Sequence, residues 1–325
     1  MNWKLLIFLV INLNFSFVFA QAETRSVRRP SFNEFSQAIG GPNKAFYSGA
    51  ADIFANPALM GQTSKATIQF SNQVNGKNLR FFSTALVLPL RKNQYLGLGL
   101  FGLNVPVGEF YDGERYTLRY DDNYSLSFNF SYAYKFESFT LGSSLEYSSY
   151  QLLPDNFSRR QSVWDASIGI YRELSSNLKF GFLLKRTIAE TKIPGISQLS
   201  AIEWGGSVVW TPITNRTKVL LSLEKNNFQS FDFKYALIFK PFKPKILNKI
   251  GIKSFSLRSG SANNNVGFLN LPDKGYGFFS GKDKNLFGTE LKLMPIYDIT
   301  FGVNFCFPFN DLPNNITLLT THISF

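Results

Sequence analysis

From Ser64 to Phe325 apolar and polar side chains alternate through segments of about ten residues, the length at which a tilted strand crosses a bilayer. Period two puts neighbouring residues on opposite faces of a sheet, so such segments carry one lipid-compatible face and one polar face. Tyr124 to Phe136 is the clearest: Tyr124, Leu126, Phe128, Phe130, Tyr132, Tyr134 and Phe136 share one face, while Ser125, Ser127, Asn129, Ser131, Ala133 and Lys135 share the other. Aromatic residues close both ends of the apolar row, where amphipathic rings meet lipid headgroups. The pattern recurs at Phe231, Phe233, Tyr235, Leu237, Phe239 and at Ile299, Phe301, Val303, Phe305, Phe307, in a chain with 35 Phe. The expected fold is all-β: a transmembrane antiparallel up-and-down β-barrel of about 14 strands, within bounds of about 12 and 16, with a short plug-like N-terminal segment.

Connectors alternate as well. Arg91 to Gln94, Glu137-Ser138, Ser175 to Asn177, Pro212 to Arg216, Pro241 to Lys245 and Met294 to Ile296 are short and rich in turn formers and charge. They are expected to face the periplasm. Asn104 to Asn123, Leu152 to Gln161, Ile188 to Ser200 and Ser259 to Asn285 are longer and expected to face outside.

Several function classes are excluded or disfavoured. Lys4, the apolar stretch Leu5 to Phe19 and the small residue Ala20 make residues 1–20 read as a cleaved signal peptide, with Ala22 as the alternative cleavage point. A mean hydropathy of −0.06 excludes a bundle of membrane helices but not a barrel, in which only every second residue meets lipid. The formal charge of +12 does not point to nucleic acid in an exported chain; outer-membrane lipid, including anionic lipopolysaccharide, is the expected counterpart. Cys306 is the only cysteine, so no internal disulfide forms.

Charged residues interrupt the polar faces at Lys135, Glu146, Asp165, Lys185, Glu203, Glu224, Lys234 and Glu290. A Lys or Arg turned to lipid at mid-bilayer costs about 2–4 kcal/mol, so these residues are expected to face the lumen and to pair there. No catalytic set is apparent. His322, the one histidine, has no second ligand for a metal, and Glu146 with Asp165 across neighbouring strands reads as a neutralised pair rather than acid–base machinery. Gly97, Gly99 and Gly102 lie in a strand with no helix after it, so they are no phosphate loop. No cofactor is expected.

Residues 21–63 do not alternate. Within them, Ala50 to Gly61 reads as a small-residue loop entering one helical turn, with Asn56 as its cap, Pro57 at its first position and Gly61 at its end. Small side chains suit a segment tucked into a barrel mouth, which divides the chain into 1–20, 21–63 and a barrel over 64–325.

Ala55-Asn56-Pro57-Ala58-Leu59, after Ile39-Gly40-Gly41 and Gly49-Ala50-Ala51-Asp52, resembles the N-terminal signature of FadL-like outer-membrane barrels, especially the PorV/PorQ branch of the Bacteroidetes type IX secretion system. Tyr132-Ala133-Tyr134, Trp164 to Gly169 and Thr321-His322-Ile323-Ser324-Phe325 extend the likeness. The closing strand, with Ile323 and the terminal Phe325, resembles the signal read by the outer-membrane assembly machinery. The resemblance implies a 14-stranded barrel with the Asn-Pro-Ala segment in or beneath its lumen. It also implies either a role with secretion-system proteins or cargo, or passive transport of hydrophobic small molecules. Inward rows dominated by Ser, Gly, Thr and charge favour the secretion role; an inward apolar pocket beside the N-terminal segment would favour transport.

Overall fold

The computed structural model describes residues 44–75, 79–105, 108–112, 116–120, 123–151, 160–190, 198–212, 216–226, 232–241, 252–264, 281–293, 299–308 and 316–324. The expected signal peptide, residues 21–43, most of the long connectors and Phe325 lie outside them.

The described chain is an all-β antiparallel sheet with little helix. Its strands are β1 (Thr67–Asn75), β2 (Leu79–Arg91), β3 (Gln94–Val105), β4 (Gly108–Asp112), β5 (Tyr116–Tyr120), β6 (Asn123–Lys135), β7 (Thr140–Gln151) and β8 (Arg160–Ser175). They continue as β9 (Leu178–Glu190), β10 (Gln198–Trp210), β11 (Thr217–Asn226), β12 (Asp232–Phe239), β13 (Ile252–Asn264), β14 (Gly281–Leu293), β15 (Ile299–Pro308) and β16 (Ile316–Ser324). Each pairs with its sequence neighbour, except that β3 pairs with β6 and β4–β5 form a separate hairpin between them. The last strand, β16, pairs with β1 from Thr67↔Ser324 to Asn75↔Ile316.

The alternation read from the sequence sets the two faces. On β6, Phe128 and Phe130 are 53% and 55% exposed on the outer face, while Ser127, Asn129, Ser131 and Ala133 are buried on the inner one. Phe70, Leu98, Leu145, Trp164, Ile168, Leu184, Leu221, Tyr235 and Leu237 extend the exposed apolar face across the sheet. Gly102 is also an outer-face position, and the ring of its directly paired neighbour Phe82 covers it. A glycine in a strand leaves a patch of backbone bare, and a cross-strand aromatic shields it.

Of the expected tight turns, Arg91 to Gln94, Glu137-Ser138 and Ser175 to Asn177 form between paired strands, while Pro212 to Arg216, Pro241 to Lys245 and Met294 to Ile296 lie largely or wholly outside the described residues. Lys92-Asn93 links β2 to β3 with Asn93 at φ 70°, a left-handed conformation that Asn tolerates better than most residues. Asn93 O accepts from Lys135 N at 2.8 Å, joining this turn to the end of β6. Phe136 and Phe139 stack at 4.6 Å around Glu137-Ser138.

The span from Asn104 to Asn123, expected as one of the longer connectors, holds the β4–β5 hairpin, paired from Gly108↔Tyr120 to Asp112↔Tyr116. The aromatic and β-branched residues Phe110, Tyr111, Tyr116 and Thr117 flank Asp112-Gly113, a composition that favours a hairpin.

Candidate functional site: a segment packed on the inner face

The segment from Lys44 to Thr63 lies against the inner face of the sheet. It touches β1, β2, β3, β6, β7 and β8 through two 3-10 turns, Ala50–Phe54 and Pro57–Gln62. Its earlier residues reach β9 at Gly181, β10 at Ser207 and β11 at Glu224. One segment can meet so many consecutive strands only if the sheet curls around it.

Asn56 organises the second turn. It is 0% exposed; its Oδ1 accepts from Ala58 N at 3.0 Å, and its Nδ2 donates to Lys44 O at 2.7 Å and to Ile170 O of β8 at 3.3 Å. The capping role expected of Asn56, with Pro57 at the first helical position, is present, and the turn runs one residue past Gly61 to Gln62. Pro57, Ala58 and Leu59 are buried, while Ala55 is half-buried and joins the two turns, its N donating to Asp52 O at 2.9 Å.

The first turn was not expected from the sequence. The Asp52 carboxylate accepts from Ser48 N, from Ser48 Oγ at 3.1 Å and from Gly49 N at 2.9 Å, folding the loop back on itself. Ala51 N donates to Gln69 Oε1 of β1 at 3.0 Å, satisfying another buried amide. Thr63 Oγ1 donates to Tyr47 Oη at 2.8 Å, and burial pushes the Tyr47 phenol from 10.0 up to about 12.

Glycines make room for the segment. A Cβ on Gly142 would lie within 2.8 Å of Ala58 Cα, and one on Gly181 within 2.9 Å of Ala45 Cα. Backbone meets backbone at both places, which only glycine permits. Gly97 faces Ile53 and Met60, Gly99 faces Phe54, and Gly169 faces Asn56. Gly97 and Gly99 thus have a packing role, which period-two reading could flag as inward but could not assign.

Apolar patches line the same interface. Ala50, Ala51, Ile53 and Met60 pack with Ala85, Val87, Tyr95 and Ala133, and Phe54 joins them. Ala45 and Phe46 meet Val209, Leu220, Ala236 and Ile238, and Ala58, Leu59 and Tyr47 meet Tyr171. The inner face beside the segment is therefore more apolar than the expected rows of Ser, Gly, Thr and charge. These residues sit close to the tight turns, where a few inward Val, Ile, Leu and Tyr escape notice among longer polar rows.

Farther from the tight turns the inner face is polar. Lys185 Nζ lies 3.3 Å from Asp165 Oδ2 and 3.8 Å from Glu203 Oε2, and Thr187 Oγ1 donates to Asp165 Oδ1 at 2.5 Å. Glu146 pairs directly with Asp165 in the β7–β8 register, and both are buried. Lys44 forms an ion pair with Glu224, while its backbone N donates to Ser207 Oγ at 3.3 Å. Of the charged positions singled out in the sequence, Glu146, Asp165, Lys185, Glu203 and Glu224 come to one level of the inner face. Lys135 is displaced to the tight-turn end. Lys234, Glu290 and Ile323 are described as strand positions only. Lys44 was missed, since its partner Glu224 lies 180 residues away.

No protein-family model matches the chain, and no curated protein does so. Solved structures do. The Pseudomonas putida toluene transporter TodX aligns at a TM-score of 0.59 and 13% identity, over 89% of this chain and 97% of that one. The Ralstonia pickettii toluene transporter TbuX aligns at 0.54 and 12%, over 90% and 97% of the two chains. A Pseudomonas aeruginosa FadL homologue aligns at 0.51 and 10%, over 87% and 96%. At such identities the chain shares with these barrel transporters their fold.

Proposed function

We propose that this protein is a 14-stranded β-barrel of the bacterial outer membrane that passes small hydrophobic molecules through a lumen occupied by its N-terminal segment. Closure is supported by the continuous pairing order and by the β1–β16 register. The membrane setting is supported by the outer face, where Phe128, Phe130, Leu145 and Tyr235 stand exposed in a belt that water would not stabilise. With the tight turns toward the periplasm, the segment lies in the periplasmic half of the lumen. The fold likeness to toluene transporters favours transport over the secretion role of the PorV/PorQ type.

One observation carries the reading. The segment covers inward apolar sites with its own Ile53, Phe54, Met60 and Phe46, so moving it would present these separate apolar patches to a solute. A deletion strain and its parent are compared for uptake of a radiolabelled aromatic hydrocarbon and a long-chain fatty acid. Slower uptake in the deletion strain, restored by the gene, is expected; equal rates for both solutes overturn the transport reading.

The charged level of Asp165, Lys185 and Glu203 favours a second reading, a barrel that anchors secretion-system proteins or cargo, because a hydrophobic conduit has no use for it. Comparison of the secreted and surface proteomes of the two strains separates the readings. Neither requires catalysis.

A further inference from the structure

At the tight-turn end the inner face changes sign. Lys135, Lys179, Lys218 and Lys240 each lie two residues from a buried inner-face residue, respectively Ala133, Gly181, Leu220 and Ile238, and so continue the inward alternation to the mouth. Lys218 Nζ stands 4.1 Å from the Phe46 ring centroid, and Lys240 N donates to Arg216 O at 2.8 Å, which ties the ends of β11 and β12 together. Arg91 and Lys92 are exposed in the turn beside Lys135. Against these, Glu173 is already engaged with Lys179 Nζ at 2.8 Å and Tyr171 Oη at 2.8 Å, and Glu137 is exposed in its turn. Among the described residues no carboxylate lies within ion-pair distance of Lys135 or Lys240, although the Glu173 charge also attracts Lys135. The other carboxylates of the inner face sit one level deeper, with Lys185 and Lys44.

We propose that this lysine collar docks a carboxylate-rich segment of a soluble periplasmic protein, which enters along the barrel axis and sits beneath the N-terminal segment. The orientation rests on the barrel reading above. Three observations select this occupant. The lysines follow the inner face, so headgroups ringing the outside of the barrel do not reach them. Strands β9 and β12 are three spacings apart, about 15 Å along the wall, which is too wide for one phosphate and suits several carboxylates on one chain. Residues 21–43 contain three Arg and two Glu and bring no surplus of negative charge to neutralise the collar.

The test uses the full-length protein in phosphatidylcholine nanodiscs and a fluorescein-labelled polyglutamate peptide, read by anisotropy. Saturable binding is expected at low salt and its loss at roughly 0.5 M, where the screening length falls to a few ångströms. The combined variant Lys135→Gln, Lys179→Gln, Lys240→Gln should bind about tenfold more weakly or worse, while the matching Lys→Arg variant retains binding. Heat-modifiable migration of both variants checks that they fold. Equal binding by the Gln variant overturns the proposal, as does equal binding of a labelled polylysine. Displacement of the peptide by inorganic phosphate, or by phosphatidylglycerol in the nanodisc, also overturns it and assigns the collar to a single anion or to lipid. Solute flux through the native protein is scored separately, so a failed channel leaves the peptide result standing.

Discussion

At the scale of single residues, the inner face is built around places where a side chain is missing. Gly142 and Gly181 let strand backbone touch segment backbone, so a branched side chain there acts as a wedge. Gly142→Val should cost about 1–3 kcal/mol of local packing and displace the segment without unfolding the sheet. Limited proteolysis should then cut within 44–63 while the barrel stays protease-resistant and heat-modifiable; a segment as protected as in the native protein would contradict the packing role. Tyr47 supplies a pH test. Its folded value of about 12 lies above the ordinary 10.0, so burial favours the neutral phenol. The stabilisation is therefore complete below pH 10.0 and is lost as pH rises through about 12. The native segment should loosen across that window by more than a Tyr47→Phe variant does, read as the difference between their proteolysis rates.

Among elements, the N-terminal segment and the strands answer to different rules. Removing residues 21–61 should leave an inserted barrel with larger single-channel conductance in planar bilayers, because β1 and its partners use none of those residues for their ladders. Unchanged conductance would mean the segment does not obstruct the path. The strands were legible because their signals are local: the two faces of β6 follow from period two, and the β2–β3 turn follows from Lys92-Asn93. The Asn56 cap was legible for the same reason, since its acceptor role spans two residues. The Ala50–Phe54 turn was not, because Asp52 caps it backwards onto Ser48 and Gly49, against the usual direction of reading. The Lys44–Glu224 pair and the glycine recesses were hidden for another reason. They exist only where a folded sheet brings distant residues together, and nothing in the neighbouring sequence of Gly181 announces the Lys44 backbone.

Across the whole molecule, stability depends on which solvent each face meets. Phe130, on the exposed row of β6, pairs with Leu98 and Leu145, both also exposed. On the barrel reading Phe130→Arg should cost about 2–4 kcal/mol near mid-bilayer, measured by urea unfolding in lipid vesicles. A change below about 0.5 kcal/mol would place that face in water, since surface substitutions rarely exceed it. The β1–β16 pairing has a consequence for the order of assembly. Only Ser64 to Ala66 separate the N-terminal segment from β1, the strand whose free edge the last-made strand must find. A segment gripped by strands from both halves of the sheet is not easily threaded through a finished wall. On the barrel reading, biogenesis therefore has a deadline: the segment must be seated before the last strand seals the seam.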